Sequence, residues 1–113
     1  MILISEHASQ VALVSWLEQT YPDLWFFAIP NGGKRGKLEA KRLKDEGVQS
    51  GVPDLMIPAL RLFIEMKRAD GGVESANQKK WRDYLNGCGY AAVVCKGHGE
   101  AIKIIVDMME NST

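Results

Sequence analysis

Three ionisable residues between positions 54 and 67 have the types and spacing that suit metal-dependent hydrolysis of a phosphate ester. Asp54 follows a Gly-Val-Pro segment, and Glu65 and Lys67 lie two positions apart in an otherwise apolar run. Carboxylates are the oxygen ligands that Mg²⁺ and Mn²⁺ prefer. Such a cation polarises a phosphate and acidifies a bound water, while an ammonium orients that water or balances developing charge. The set predicts a catalytic centre, provided that the chain brings these side chains together.

The segment Arg61–Lys67 is predicted to be a strand, and its alternation separates two kinds of side chain. Side chains of a strand point alternately to opposite faces. One face carries the apolar Leu62, Ile64 and Met66, and the other carries Phe63, Glu65 and Lys67. The carboxylate and the ammonium therefore share a face, and Phe63 beside them indicates that this face is partly buried.

A second predicted strand, Val52–Ile57, determines whether Asp54 reaches the same place. A two-residue turn at Ala59-Leu60 would set Ile57 opposite Leu62 and Asp54 opposite Glu65, with their Cβ atoms ~5 Å apart. Two carboxylates this close repel each other unless a cation lies between them. A register shift of one residue would instead send Asp54 to the other face. The plainer alternative is an exposed Glu–Lys pair with Asp54 in a turn. This alternative is less favoured when Asp54, Glu65 and Lys67 are considered together, because unpaired charges on a partly buried face are costly.

Further segments of the chain resemble the VRR-NUC domain of the PD-(D/E)xK nuclease superfamily. In chain order they are Glu6 and Gln10 in an early helix, a Pro-Asn-Gly-Gly loop leading to Arg at Pro30–Arg35, Gly51–Leu55, Ile64–Arg68, Ser75 with Gln78 and Trp81, and Gly89-Tyr90. The resemblance implies a restriction-endonuclease-like core and a Mg²⁺- or Mn²⁺-dependent DNA endonuclease. It also implies branched substrates such as four-way (Holliday) junctions, a homodimer, and a phage or bacterial origin.

Roles for individual residues follow from the same resemblance. The catalytic set would be Asp54, Glu65, Lys67, Gln78 and Glu6. The metal would be held by Asp54, Glu65, Glu6 and the backbone carbonyl of Met66. Two of these residues have simpler alternatives, since Glu6 in a first helical turn favours the helix dipole in any case, and Gln78 could be a solvated helix residue.

Basic residues are unevenly distributed although the net charge is zero. Residues 1–33 contain no Lys or Arg, whereas six of the 14 basic residues lie in the segment from Lys34 to Lys44 inclusive. Neutrality argues against coating nucleic acid by charge alone, but a basic face remains compatible with it. The predicted DNA-binding residues are Asn31, Lys34, Arg35, Lys37, Lys41 and Arg68. The alternatives are a plain strand-to-helix turn at the Gly-Gly loop and a solvated helix surface after it.

The elements that must position these residues predict one α/β domain over 1–113. Capping and hydrophobic spacing predict helices at 6–20, 37–46, 76–85 and 100–109, and strands at 25–29, 52–57, 61–67 and 90–95. The order α-β-α-β-β-α-β-α predicts a mixed central sheet of about four strands flanked by helices. Residues 25–29 are predicted to form a buried strand, Trp16 and Trp81 to be core residues, and His98 to be a helix-entry residue.

Composition excludes several other classes. The chain has 113 residues, 46% of them hydrophobic and 25% charged, which is ordinary for a globular domain. It contains no apolar run of the ~18–20 residues that a membrane span needs, and the N-terminus does not resemble a signal peptide. Cys88 and Cys95 match no metal spacing and are predicted to be free thiols in a reducing cytoplasm. Two other functions stay open: a non-catalytic DNA-binding module and a protein–protein adaptor.

Overall fold

The computed structural model describes residues 4–30 and 36–112. Within them the predicted element order is confirmed, with a short 3₁₀ turn at Pro58–Leu60 added between the second and third strands. The elements are α1 (Glu6–Thr20), β1 (Phe27–Ala28), α2 (Lys37–Asp45), β2 (Leu55–Ile57), β3 (Leu62–Lys67), α3 (Ala76–Gly87), β4 (Ala91–Lys96) and α4 (His98–Glu110). Three predicted DNA-binding residues, Asn31, Lys34 and Arg35, lie outside the described residues.

The described strands form the mixed four-stranded sheet that the sequence predicts, and their order in it is β1-β2-β3-β4. β1 pairs with β2, and β2 with β3, in antiparallel fashion, whereas β3 and β4 are parallel. A parallel pair needs a long crossover, and α3 supplies it. β3 thus has a neighbour on each side, so the strand that carries Glu65 and Lys67 is central.

Both faces of β3 are covered, which explains why its charged residues are buried. On one face Leu62, Ile64 and Met66 pack with Leu13 and Leu17 of α1 and Ile105 of α4 in the main hydrophobic cluster. On the other face α3 lies over the strand. Glu65 is therefore 2% exposed and Lys67 8% exposed. Burial of two charged side chains demands partners within the fold.

The prediction of a buried first strand is wrong. β1 comprises only Phe27 and Ala28, and both are exposed. Trp25, predicted to belong to the strand, precedes it and is 82% exposed. The physical reason is position: β1 lies at the end of the sheet next to β2, whereas the helices pack mainly over β3 and β4. An aromatic run alone does not distinguish an edge strand from a central one.

The two tryptophans predicted to be core residues differ. Trp16 packs against the hydrophobic cluster and makes an edge-to-face contact with Tyr21, with ring centroids 5.6 Å apart. Trp81 is only half-buried and lies outside that cluster, because its side chain lines an open cleft. His98 is the first residue of α4, as predicted.

The remaining sequence-based expectations concern cysteines and membranes. Cys88 and Cys95 are both free thiols, Cys88 exposed and Cys95 buried. Burial raises the pKa of the Cys95 thiol to about 12, with a smaller contribution from Glu100, so this thiol is unreactive at neutral pH. Over the described ranges, no helix has the length and apolar character needed to cross a bilayer.

Candidate active site

The β2–β3 hairpin has the predicted register but not the predicted turn. Ile57 pairs with Leu62 and Leu55 with Ile64. The connection is a 3₁₀ turn followed by Arg61 in the left-handed region at φ 50°, so the two-residue turn at Ala59-Leu60 is wrong. The register is preserved because the longer loop adds one residue on each side of the same centre.

Asp54 lies just before β2, and its backbone departs from regular pairing. Its N–H donates to the carbonyl of Ile64 (2.9 Å), the residue already paired with Leu55, and its carbonyl accepts from Ile29 (2.8 Å). Two residues facing one is the arrangement of a β-bulge, which redirects a side chain. The expected Asp54–Glu65 pair is therefore not part of the ladder. Instead, Oδ2 of Asp54 accepts from the N–H of Met66 (2.7 Å).

The segment leading to Asp54 is docked against the start of α3. Gly51 has φ +93°, and a Cβ there would lie 2.8 Å from the backbone and side chain of Asn77. Nδ2 of Asn77 also donates to Oγ of Ser50 (3.0 Å), and Pro53 is fully buried. Only glycine tolerates both this φ and this approach. The turn therefore fixes where Asp54 emerges.

Three carboxylates from separate parts of the chain converge. Glu6 from the first turn of α1, Asp54 before β2 and Glu65 on β3 each offer an oxygen, and these oxygens all lie within 4.8 Å of one another. Glu6 is held at this place by the start of α1, where Oγ of Ser5 accepts from the N–H of Ala8 (3.0 Å). The carbonyl of Met66 points to the same side of β3 as its N–H, which faces Asp54.

Glu65 has an unusual electrostatic environment. Its Oε1 is buried and has no hydrogen-bond partner among the described residues. Desolvation raises its pKa to about 8, with the neighbouring Asp54 carboxylate adding to the shift and Lys67 opposing it. Without a cation, this carboxyl therefore holds its proton near neutral pH. The cost of ionising it is what a bound cation would offset.

Lys67 and Gln78 complete the cluster through one shared amide. Oε1 of Gln78 accepts from Nζ of Lys67 (2.8 Å), and Nε2 of Gln78 donates to Oε2 of Glu65 (3.0 Å). The ammonium only donates, so it requires the amide oxygen and leaves the amide nitrogen for Glu65, which gives the amide one compatible orientation. Nζ of Lys67 lies 4.0 Å from Oε2 of Glu65. The amide thus spans the gap between the two charged groups.

The backbone around Gln78 supports this orientation. Gln78 belongs to a capping box at the start of α3, in which Oγ of Ser75 accepts from the Gln78 N–H (3.1 Å). In return, Oε1 of Gln78 accepts from the Ser75 N–H (2.7 Å). The Ser-x-x-Gln spacing is a known signature of a helix start. The sequence therefore indicates a helix start here, and the structure shows that the same glutamine also directs its amide toward β3.

Sequence reasoning missed two residues that support Lys67. A Cβ on Gly72 would lie 3.2 Å from Cβ of Lys67 and 3.3 Å from its Cδ, so the loop backbone packs along the lysine stem. Glu74 then ties this loop to α3, accepting from Nε and Nη2 of Arg82 at 2.8 and 3.0 Å. This ion pair is the main reason that the pKa of the Glu74 carboxyl is lowered.

The described DNA-binding candidates are all exposed. Lys37 begins α2, a helix that buries none of its residues. Lys41 pairs with Asp45 (2.8 Å) on the same helix, and Arg68 pairs with Asp70 (3.2 Å) after β3. These contacts are solvent-exposed, so a phosphate competes with them at little cost.

Fold and site together can now be set beside known proteins. The family model described as "VRR-NUC domain" matches residues 4–99. The chain belongs to the VRR-NUC family. A solved structure described as a "VRR_NUC domain protein" is similar over 97% of this chain and 92% of that chain, at 27% identity and a TM-score of 0.83. A search of curated proteins gives no significant match. VRR-NUC membership confirms the expected nuclease-like α/β fold.

Proposed function

We propose that this VRR-NUC chain is a divalent-metal-dependent DNA endonuclease that acts on branched DNA. The observation that carries the proposal is the convergence of Glu6, Asp54 and Glu65 within 4.8 Å beside the buried Lys67. A domain that only bound DNA would gain nothing from three carboxylates in one place, because they repel phosphates.

The residues present fit a hard divalent cation. Every donor is an oxygen, from Glu6, Asp54, Glu65 and the backbone carbonyl of Met66, which suits Mg²⁺ or Mn²⁺. Oε1 of Glu65 is buried and has no hydrogen-bond partner in the part of the chain that the structure describes, which supports this assignment, since such an oxygen is costly to leave without a ligand. When bound, such an ion supplies Lewis-acid polarisation of a phosphodiester oxygen and acidifies water.

The chain's own residues would position the reactants. Lys67 donates hydrogen bonds from a desolvated position, where its charge stabilises negative charge on a phosphate more strongly than in water. Gln78 keeps Lys67 and Glu65 at their present separation and limits the ammonium to one side of the carboxylate. Oδ2 of Asp54 accepts from the Met66 N–H, which holds this carboxylate in place beside β3.

The DNA would lie along the basic residues of the protein. We assign its contacts to Asn31, Lys34, Arg35, Lys37, Lys41 and Arg68. A four-way junction needs two symmetric cuts, so we also propose a homodimer with two sites. We expect the protein to act in the cytoplasm of a bacterial or phage-infected cell.

The decisive experiment is a cleavage panel with duplex, flap, single-stranded and four-way DNA, in Mg²⁺ and in Mn²⁺. The test variant is Lys67→Met, and the matched control is Lys80→Met, an exposed lysine on α3. We expect Lys67→Met to cut roughly 100- to 1,000-fold more slowly, as when a transition-state donor is removed, and Lys80→Met to cut normally. Binding of DNA without cleavage by the unmodified protein in either metal would instead favour a non-catalytic binding module.

The dimer has its own test. Sedimentation equilibrium at micromolar concentration should give twice the monomer mass without DNA, and the mass of two protein chains plus one junction when a four-way junction is added. A monomer in both conditions would refute this part of the proposal while leaving the cleavage result intact.

A further inference from the structure

A cleft of about 420 Å³ opens on the same sheet face as the acidic cluster. Its lining is mainly apolar and includes Ile29, Val48, Val52, Phe63, Trp81 and Leu85. A cavity of this size matches the lower range of small-ligand sites.

The cleft and the acidic cluster share the same structural elements. Phe63 lies two residues before Glu65 on β3, so both point to one face and stand about 7 Å apart. On α3, Trp81 follows Gln78 by three residues, which places both on one side of the helix. The cleft therefore lies beside the cluster, one strand repeat away from Glu65.

We propose that this cleft receives one unstacked nucleobase of the DNA, next to the phosphate at the acidic cluster. The proposal rests on the proposed function, and it names the feature of the substrate that the site selects. A base is planar, uncharged and apolar on its faces, and it stacks favourably on aromatic side chains. Trp81 offers an indole that is half-buried in the cleft wall.

The polar rim fits a base better than a second phosphate. Among the described residues that line the cleft, Glu46 is the titratable one. Its carboxylate pairs with Arg42 at 3.4 Å and would repel a phosphate. Gln49 stands in the same lining and offers both a donor and an acceptor to a base edge. A base within an intact duplex cannot enter such a cleft without being flipped out. The geometry therefore favours DNA in which a nucleotide near the cut unstacks at low cost, as at the branch point of a junction.

The test is a cycle that combines protein variants with abasic DNA. Binding of a four-way junction is measured in the Lys67→Met background, with an abasic site placed in turn at each nucleotide around the mapped cut. We expect Trp81→Ala to weaken binding roughly 5- to 150-fold, the value of stacking one base. One abasic position should give a similar loss, and that position combined with Trp81→Ala should lose no more than either alone.

Three further variants guard against a loss of fold. Trp81→Tyr keeps a stacking surface and should restore most of the affinity. Val48→Trp fills the cleft from a different segment and should weaken binding without altering Trp81. Trp25→Ala removes an exposed tryptophan that lines a different cavity and should change nothing. Thermal unfolding of each variant identifies any that fails to fold.

The outcomes separate the two proposals. Unchanged junction binding by Trp81→Ala and by Val48→Trp, or losses that multiply at every abasic position, would overturn the base-binding cleft alone. A change in self-association with unchanged DNA affinity would assign the cleft to an interface between copies and would also overturn it. Failure of the unmodified protein to bind or cut any DNA would overturn the proposed function and the cleft with it.

Discussion

Replacing Glu65 by Gln should stabilise the metal-free protein, and the gain should grow with pH. The folded-state pKa of Glu65 is raised from 4.5 to about 8, chiefly by burial. A raised folded pKa means that the folded protein holds the proton more tightly than the unfolded chain. Its contribution is complete below pH 4.5 and is lost as the pH rises through 8. Gln has the same shape and never ionises.

The magnitude follows from the size of the shift. Each pKa unit corresponds to 1.36 kcal/mol. At pH 7 Glu65 is ionised in the unfolded chain but still protonated in the folded protein, which lowers the free energy of unfolding by about 3 kcal/mol. The full shift gives an upper value of about 5 kcal/mol above pH 8. A difference of this size is a large share of the stability of a small domain.

Urea unfolding with a chelator, at intervals from pH 5 to pH 8.5, measures this effect. We expect the two proteins to differ little at pH 5 and the Gln variant to be the more stable at pH 7. Glu18→Gln, at an exposed position on α1, is the control and should show no such divergence. Added Mn²⁺ should then stabilise the unmodified protein increasingly with pH, because cation and proton compete. A stability difference independent of pH would refute the reasoning.

Three other predictions concern the supports of the site. Gly51→Ala places a Cβ at a φ of +93° and 2.8 Å from Asn77, so it should lower the free energy of unfolding in urea by about 1–3 kcal/mol. Gly87→Ala, with open space around it, should not destabilise the protein. Equal effects of the two substitutions would contradict the docking of the Gly51 turn. Ser75→Ala and Gln78→Ala should each cost about 1 kcal/mol through the helix cap, but only the second should also slow DNA cleavage, and equal cleavage rates would show that the amide acts only as a cap. Isothermal titration with Mn²⁺ should give a weaker affinity for Asp54→Asn, and an unchanged affinity would remove Asp54 from the ligand set.

Much of the site was visible in the sequence because its central part is local. Strand alternation alone places Glu65 and Lys67 on one face of β3, and the spacing of two apolar segments gives the Ile57–Leu62 register. That register is robust, since a shift of one residue would turn the apolar side chains of β3 away from the core. It held even though the turn itself was predicted wrongly.

Other features depended on how distant segments pack. Periodicity does not give depth of burial, so the exposed edge strand at Phe27 was predicted as buried. The half-buried Trp81 and the cleft beside it depend on how α3 packs against β3 and residues 29–30 and 46–52. No local sequence pattern encodes that packing.

The sequence by itself determined which side chains share a face, because that depends on the backbone geometry of single elements. Only the tertiary structure decided that Glu6, from the first helix, meets Asp54 and Glu65, and that one amide of α3 joins Lys67 to Glu65. It also decided that Glu65 is buried deeply enough to hold its proton near neutral pH. Desolvation and the meeting of remote carboxylates are properties of packing, and packing exists only once all the elements are in place.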